Sequence, residues 1–316
     1  MLSVSLVVPV RNAARTLPHC LAALRCLDPP PAEVFLVDNG STDGSLPLLR
    51  EFVSHAGREA AQLLQEPRRG AAAARNAGIR AARGDVIAFT DADCAPEPGW
   101  LRHLIQPFQD PAIGAVAGRV APAPATSTVE LFSTLYTLRL PERPARHGRW
   151  TPWEGGYPTA NLAVRGRLLE ELRGFDEEIG IYGEDYDLCA RLYACGLEIA
   201  YAPVACVYHH HRTTLMGMVR QAFRFGRSHP LLLRRHTECG LWVDLPRVSF
   251  VWCGCPLRAW LDLASADKKA LAILLLGAMY TPSLALLLPY LLWLAWTAGR
   301  RAREAGTPVS AAAAIG

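Results

Sequence analysis

Up to about residue 120 the chain alternates short, unbroken apolar runs with stretches of helical spacing, the pattern of βαβ units on a mostly parallel sheet. Ser5 to Val10 reads as a strand, and Ala13 to Leu27 has helical spacing through Leu17, Leu21 and Leu24 until Pro29-Pro30-Pro31 stops it. Val34 to Val37 is a second strand, followed by a polar turn, Asp38 to Gly44, and a helix beginning near Pro47, where the first turn needs no amide donor. Ala61 to Leu64 is a third strand, Gly70 to Ala82 a helix, and Val86 to Thr90 a fourth strand. Runs without polar alternation imply strands covered on both faces, and ligands of such sheets gather at the strands' carboxyl ends.

Asp91-Ala92-Asp93 emerges at that end of the Val86 strand. Two carboxylates there suit Mg²⁺ or Mn²⁺, which take phosphate oxygens as further ligands. A solvated strand-end turn is the plain alternative for the triplet alone. Four loops meet the same edge: Pro9 to Asn12, Asp38 to Gly44, Gly70 to Asn76, and Asp91 to Asp93. Asp38, Ser41, Thr42 and Asp43 offer acceptors and hydroxyls for a base and ribose, whereas Arg11 and Arg75 offer donors for phosphates. Helix capping explains one such loop, not the convergence of acidic and basic loops on a carboxylate pair.

Composition limits the other classes. A net charge of +4 over 316 residues is too weak for a dedicated nucleic-acid binder. Nine scattered cysteines fit a reducing compartment, and Cys253-Gly254-Cys255 with His236 and Cys239 lacks the second paired motif of a zinc site. The apolar start, Met1 to Val10, reads as a strand, without the basic leader of a signal peptide.

In the second half, Thr159 to Val164 reads as a strand and Arg167 to Leu172 as a short helix before Gly174-Phe175-Asp176-Glu177. Glu184-Asp185 opens a helix spaced through Leu188, Leu192 and Tyr193, where acids alone are often only dipole-friendly surface residues. Glu198 to Ala202 is an apparent strand interrupted at Pro203, before Val207-Tyr208-His209-His210-His211; in extended chain His209 and His211 share a face.

Val7 to Asn12, Val37 to Asp43, Ala74 to Gly78, Gly84-Asp85 through Asp93, Gly174 to Glu177 and Gly183 to Asp185 stand in one order, and with them the chain resembles a family-2 glycosyltransferase of the GT-A fold over roughly residues 1–212. That resemblance implies a nucleotide-diphosphate sugar donor, a divalent metal at the Asp-x-Asp segment and inversion at the anomeric carbon. It implies that Pro9, Arg11, Asn12, Asp38, Ser41, Asp43, Arg75 and Asp91 face the donor, with Asp38 on the base, Arg75 on the nucleotide, Asp91 nearer the ribose and Asp93 on the metal-diphosphate. Asp185 is then the catalytic base and Glu184 its orienting neighbour. His209 matches the place of a third metal ligand, with His211 in reserve; loop histidines in solvent are the alternative, since Asp93, diphosphate and water can complete a Mg²⁺ shell. Arg11 stands where many members carry a tyrosine or other neutral residue, and Asn39 replaces a frequent second aspartate.

The expected organisation is a Rossmann-like GT-A domain over 1–212, with a donor half to about 120 and an acceptor half over 121–212. A basic amphipathic region follows over 213–267, a membrane-anchoring helix or re-entrant hairpin over 268–303, and a tail over 304–316. Met216, Val219 and Phe223 share one helical face, and Arg220, Arg224 and Arg227 another. Ala270 to Ala298 carries no charge and is flanked by Lys268-Lys269 and Arg300-Arg301. As one helix it would be about 43 Å long against a hydrocarbon core of about 30 Å, and Pro282 and Pro289 interrupt it. Flanking basic residues place both ends on the cytoplasmic face of the cell membrane, beside a lipid-linked or other glycan acceptor. A nucleotidyltransferase lacks its Gly-rich Arg-Lys signature here, and a non-catalytic nucleotide-binding scaffold would not need both acid pairs. Glycoside hydrolysis leaves the donor half without purpose.

Overall fold

In the computed structural model, the described residues are 2–57, 60–127, 129–130, 133–134, 142–148, 156–179, 183–217, 220–221, 235–236, 251–252 and 255–256. Strands β1 (Val4–Val10), β2 (Glu33–Asp38), β3 (Ala61–Gln65) and β4 (Val86–Thr90) alternate with helices α1 (Leu17–Arg25), α2 (Ser45–Ala56) and α3 (Ala71–Ala81). There follow β5 (Cys94–Pro96), α4 (Trp100–Ile105), β6 (Ile113–Pro122), β7 (Ala145–His147), β8 (Asn161–Arg165), α5 (Gly166–Glu171), α6 (Glu184–Ala194) and β9 (Glu198–His209). A separate antiparallel pair, Val251–Trp252 with Cys255–Pro256, completes the described strands.

The main sheet has the order β3-β2-β1-β4-β8-β6-β9-β5, with β7 on β9. The first four strands are parallel, as the alternating pattern requires. β8 then enters antiparallel between β4 and β6, and β9 runs parallel to β6. β1 lies between β2 and β4, so the chain reverses its lateral direction there and opens a crevice at the carboxyl ends.

Both faces of this sheet are buried, which is why its strands show no polar alternation. Leu6, Val8, Leu36 and Ala88 face a core with Leu17, Leu21, Leu49, Phe52, Trp100 and Leu104 from α1, α2 and α4. Their neighbours Val7, Phe35, Val37 and Phe89 face a second core with Ala72, Ala74, Leu169, Leu188 and Leu192 from α3, α5 and α6. Each fully buried Leu- or Phe-sized side chain contributes about 1.5–3 kcal/mol. The alanine-rich α3 sits close on β1: a Cβ at Gly78 would fall 2.4 Å from Val7 Cγ1.

Two expectations change. The first helix begins at Leu17, not Ala13. The amides of Asn12, Ala13 and Ala14 bond instead to Ser41 Oγ, Ser45 Oγ and Asp43 Oδ2, and Asn12 takes a positive φ of 49°. Nor does the late strand end at Pro203. β9 runs on to His209, and pairing with β6 jumps from Gly118↔Ala202 to Arg119↔Cys206. Pro203 to Ala205 form a bulge, so the missing proline amide costs no ladder bond.

Of the C-terminal expectations, only fragments fall among the described residues. Leu215 to Gly217 and Arg220-Gln221 are helical. Segment 268–303, Cys239 and Cys253 lie outside the described residues. Among the described residues no helix is long and apolar enough to cross a membrane.

Candidate active site

The loops after β1, β2 and β4 and the start of α3 converge as expected, and the first two are stitched together. Thr42 N donates to Asn12 Oδ1 at 2.8 Å, and Ser41 N to Asp38 Oδ1 at 3.2 Å. Ser41 and Asp43 thus hold backbone amides, and Asp43 also accepts from Ser45 N and Oγ, which holds its carboxyl below the usual range despite desolvation. Asp38 is buried at the end of β2, in register with Val10 of β1. Asn39 is buried too, donating to the Glu66 and Arg68 carbonyls and accepting from Gly70 N. Arg11 is exposed at the mouth, with Nη1 on the Asn39 carbonyl at 3.0 Å.

Arg75 is the centre of the arrangement. It is 4% exposed, and its two terminal nitrogens reach different acids: Nη2 to Asp91 Oδ1 at 2.7 Å and Nη1 to Glu184 Oε1 at 2.6 Å. Its guanidinium lies over the Phe175 ring, 5.6 Å from the centroid. Burial opposes its charge, but Asp91 and Glu184 outweigh that and keep it protonated. Arg75 therefore joins the acid pair after β4 to the acid pair that opens α6, with both terminal nitrogens committed to protein carboxylates.

Glu184 and Asp185 open α6. Gly183 takes a left-handed φ of 99° before it, and Glu184 is buried with Oε2 lacking a hydrogen-bond partner among the described residues. Desolvation, reinforced by Asp185, raises Glu184 to about 7 even against Arg75. Asp185 is also raised by desolvation, with Arg75 opposing, and Oδ1 accepts from Tyr186 N at 2.9 Å. The helix N-terminus favours the ionised form of Asp185; burial is the stronger effect. The turn before α6 is held from α3: Asn76 Nδ2 donates to the Phe175 carbonyl and to Glu177 Oε1, and Oδ1 accepts from Phe175 N. A Cβ on Gly174 would lie 2.3 Å from Asn76 Oδ1, so only glycine fits.

At the other end of the crevice, the continued β9 pairs His209 with Cys94, and His210 N donates to the Asp93 carbonyl at 2.8 Å. His209 Nε2 lies 3.7 Å from Asp93 Oδ2, and ligand atoms of Asp93, Cys94 and His209 all lie within 4.8 Å of one another. Burial pushes the Cys94 thiol well above its ordinary range, leaving a carboxylate and an imidazole as the donors, a set that fits Mn²⁺ or Mg²⁺ completed by oxygen ligands. His211 is buried behind, its Nδ1 3.2 Å from His209 Nδ1, and burial followed by His209 pushes it down to about 4. Its contact with His209 supports that ring, and the group of ligand atoms around Asp93 includes His209 and not His211 among the described residues.

The model for "Glycosyl transferase family 2" matches residues 5–173, more than half of the chain. The chain belongs to glycosyl transferase family 2. Among relatives of this family-2 chain, the pre-mycofactocin glycosyltransferase of Mycobacterium tuberculosis is 34% identical over 236 residues, covering 73% of this chain and 48% of that protein. The chain thus spans about half the length of that relative. The O-antigen chain rhamnosyltransferase RfbN of Salmonella typhimurium is 25% identical over 252 residues, 77% of this chain and 75% of that one. Among solved structures, the mannosyltransferase PcManGT from Pyrobaculum calidifontis, in complex with GDP-Man and Mn²⁺, aligns with a TM-score of 0.65 at 22% identity. That alignment covers 97% of this chain and 88% of the other, and the shared architecture is the GT-A-like α/β fold.

Sequence patterns pointed to the acids and to His209, but not to Asn76 or His211 as props. Asn76 had a weak signal beside Arg75; His211 had only its alternation with His209.

Proposed function

We propose that this chain is an inverting, metal-dependent glycosyltransferase. It moves a sugar from a nucleotide-diphosphate sugar to a hydroxyl of a glycan or lipid-linked acceptor at the cytoplasmic face of the cell membrane. The observation that carries this reading is the Arg75 bridge, which sets a carboxylate pair suited to a metal-diphosphate beside a second pair of raised basicity. Family membership, and the GDP-Man and Mn²⁺ of the similar mannosyltransferase, support the donor and metal classes. The O-antigen activity in a relative's name supports an envelope glycan acceptor.

Asp38 and the stitched loops at 9–12 and 38–44 hold the nucleotide, with the exposed Arg11 at its rim. Asp93 and His209 would hold the cation, which would neutralise charge on the diphosphate leaving group. Asp91, turned by Arg75, faces the ribose. In the transfer, the acceptor oxygen forms a bond to the anomeric carbon from the face opposite the diphosphate. The carbon–oxygen bond to the diphosphate breaks, and the acceptor proton passes to the Asp185 carboxylate. A carboxylate raised by burial is a better proton acceptor near neutral pH than an ordinary aspartate, and such help is worth about two to four powers of ten. Glu184, fixed by Arg75, orients the acceptor or the base.

The uncharged stretch 270–298 supports membrane attachment. Removing the chain after Asp267 tests it: release from membranes is expected, and unchanged partition would count against this anchor. The function itself is tested with UDP-, GDP- and dTDP-sugars with and without Mn²⁺. Metal-dependent sugar transfer or donor hydrolysis is expected, whereas pyrophosphate release from a nucleoside triphosphate would favour a nucleotidyltransferase.

A further inference from the structure

Arg235 and His236 lie beyond the boundary expected at residue 212, yet both return to the catalytic domain. Arg235 pairs with Asp176 and donates through Nη2 to Glu178 Oε2 at 2.6 Å. His236 Nε2 lies 3.3 Å from Asp187 Oδ1, with both side chains 3% exposed. Asp187 Oδ2 in turn accepts from Arg191 Nε at 2.7 Å, and Arg191 donates to the carbonyls of Leu172 and Gly174. The Arg235-His236 pair therefore meets the two pieces of chain that present Glu184 and Asp185: the acidic turn after α5 and the first turn of α6.

That first turn carries three acids, Glu184, Asp185 and Asp187, within four residues. Like charges packed together need counter-charges close by. Arg75 supplies one from α3, Arg191 one from the helix itself, and Arg235 answers Asp176 and Glu178 on the adjoining turn. The contact to Glu178, which is 82% exposed, is worth little by itself. The buried contact between His236 and Asp187 is where loss of a partner is felt.

We propose that Arg235 and His236 form a positioning clamp. Residues 235–236 hold the acidic turn and set the attitude of α6, and so of Asp185 toward the acceptor hydroxyl. The clamp's effect on transfer rests on the reading of Asp185 as base. Its effect on the turn does not.

The test uses the full chain with Arg235→Ala, His236→Ala and Arg235→Lys. Hydrogen exchange is followed in peptides spanning 173–187 and in β1, β2 and β4, with binding of UDP and GDP in the presence of Mn²⁺ and transfer kinetics measured in parallel. Both alanine variants are expected to speed exchange in 173–187 about tenfold while the strands keep wild-type protection. Nucleotide affinity stays within about twofold, kcat falls about tenfold or more, and Arg235→Lys retains most of it. Wild-type exchange in 173–187 in both alanine variants would overturn the clamp. So would faster exchange spread equally over the domain, or a nucleotide affinity that falls in step with kcat. Because the exchange readout does not depend on turnover, failure of the clamp and failure of the base assignment are seen separately.

Discussion

Arg75 and Glu184 form an ion pair 2.6 Å long in which neither side chain is more than 6% exposed. The same guanidinium holds Asp91 of the Asp-x-Asp segment. One residue of α3 thereby fixes the separation between the end of β4 and the start of α6, the two places that the proposed transfer brings together.

Replacing Arg75 by Ala leaves two acids facing a buried space without their cation. Breaking a buried pair in this way costs about 3–5 kcal/mol. Denaturant unfolding should show that loss, and transfer should fall by at least about a thousandfold, with Arg75→Lys intermediate because it cannot reach both acids in a fork. A loss under about 1 kcal/mol would mean that the bridge does not hold the two sides.

The raised carboxyl of Glu184 links stability to pH. In the unfolded chain it ionises near its ordinary value of 4.5; in the folded protein it does so at about 7. The folded state binds more protons between these values, so this group's contribution is full below about 4.5 and is lost as pH rises through about 7. Thermal melting from pH 4.5 to 8.5 should show Glu184→Gln gaining on wild type as pH rises. A constant difference across that range would contradict the shift.

Asp91 and Asp93 should separate in role. Asp93→Ala should abolish the dependence of activity on Mn²⁺, whereas Asp91→Ala should lower activity and keep the dependence. His209→Ala should weaken Mn²⁺ binding, measured with a nucleoside diphosphate by calorimetry, about tenfold or more; His211→Ala, which removes only a prop, should weaken it less. Equal metal affinity in wild type and His209→Ala would remove His209 from the site.

The parallel half of the fold was legible because strands buried on both faces cannot alternate, and Val7, Phe35 and Phe89 are as buried as their neighbours. Asp91 and Asp93 stood out by their place at a strand end, whereas Glu184 and Asp185, at a helix start where acids are common, stood out only through the family resemblance. Arg75 was recognised as a site residue, but its pairing with Glu184 was not, because that contact joins α3 to a helix more than a hundred residues later. Pro203 looked like a strand end because the spare residues of a bulge depend on the neighbouring strand, β6. Asp43 and Ser41 looked like free acceptors because the amides that claim them belong to another loop.

Asn76 is expected to matter for stability before chemistry. Asn76→Ala removes both hydrogen bonds to the Phe175 backbone and one to Glu177, leaving buried polar groups unpaired at a cost on the order of 1–3 kcal/mol. Melting and acceptor KM should both suffer, with nucleotide affinity kept. A variant as stable as wild type would show that the acidic turn is held elsewhere.

The central claim is that Asp185 takes the acceptor proton. Kinetics and nucleotide binding of Asp185→Asn test it most directly, since the amide keeps the shape and removes the basicity. Transfer should be abolished while affinity for the nucleoside diphosphate with Mn²⁺ stays within about twofold of wild type. Turnover near the wild-type rate would contradict the account.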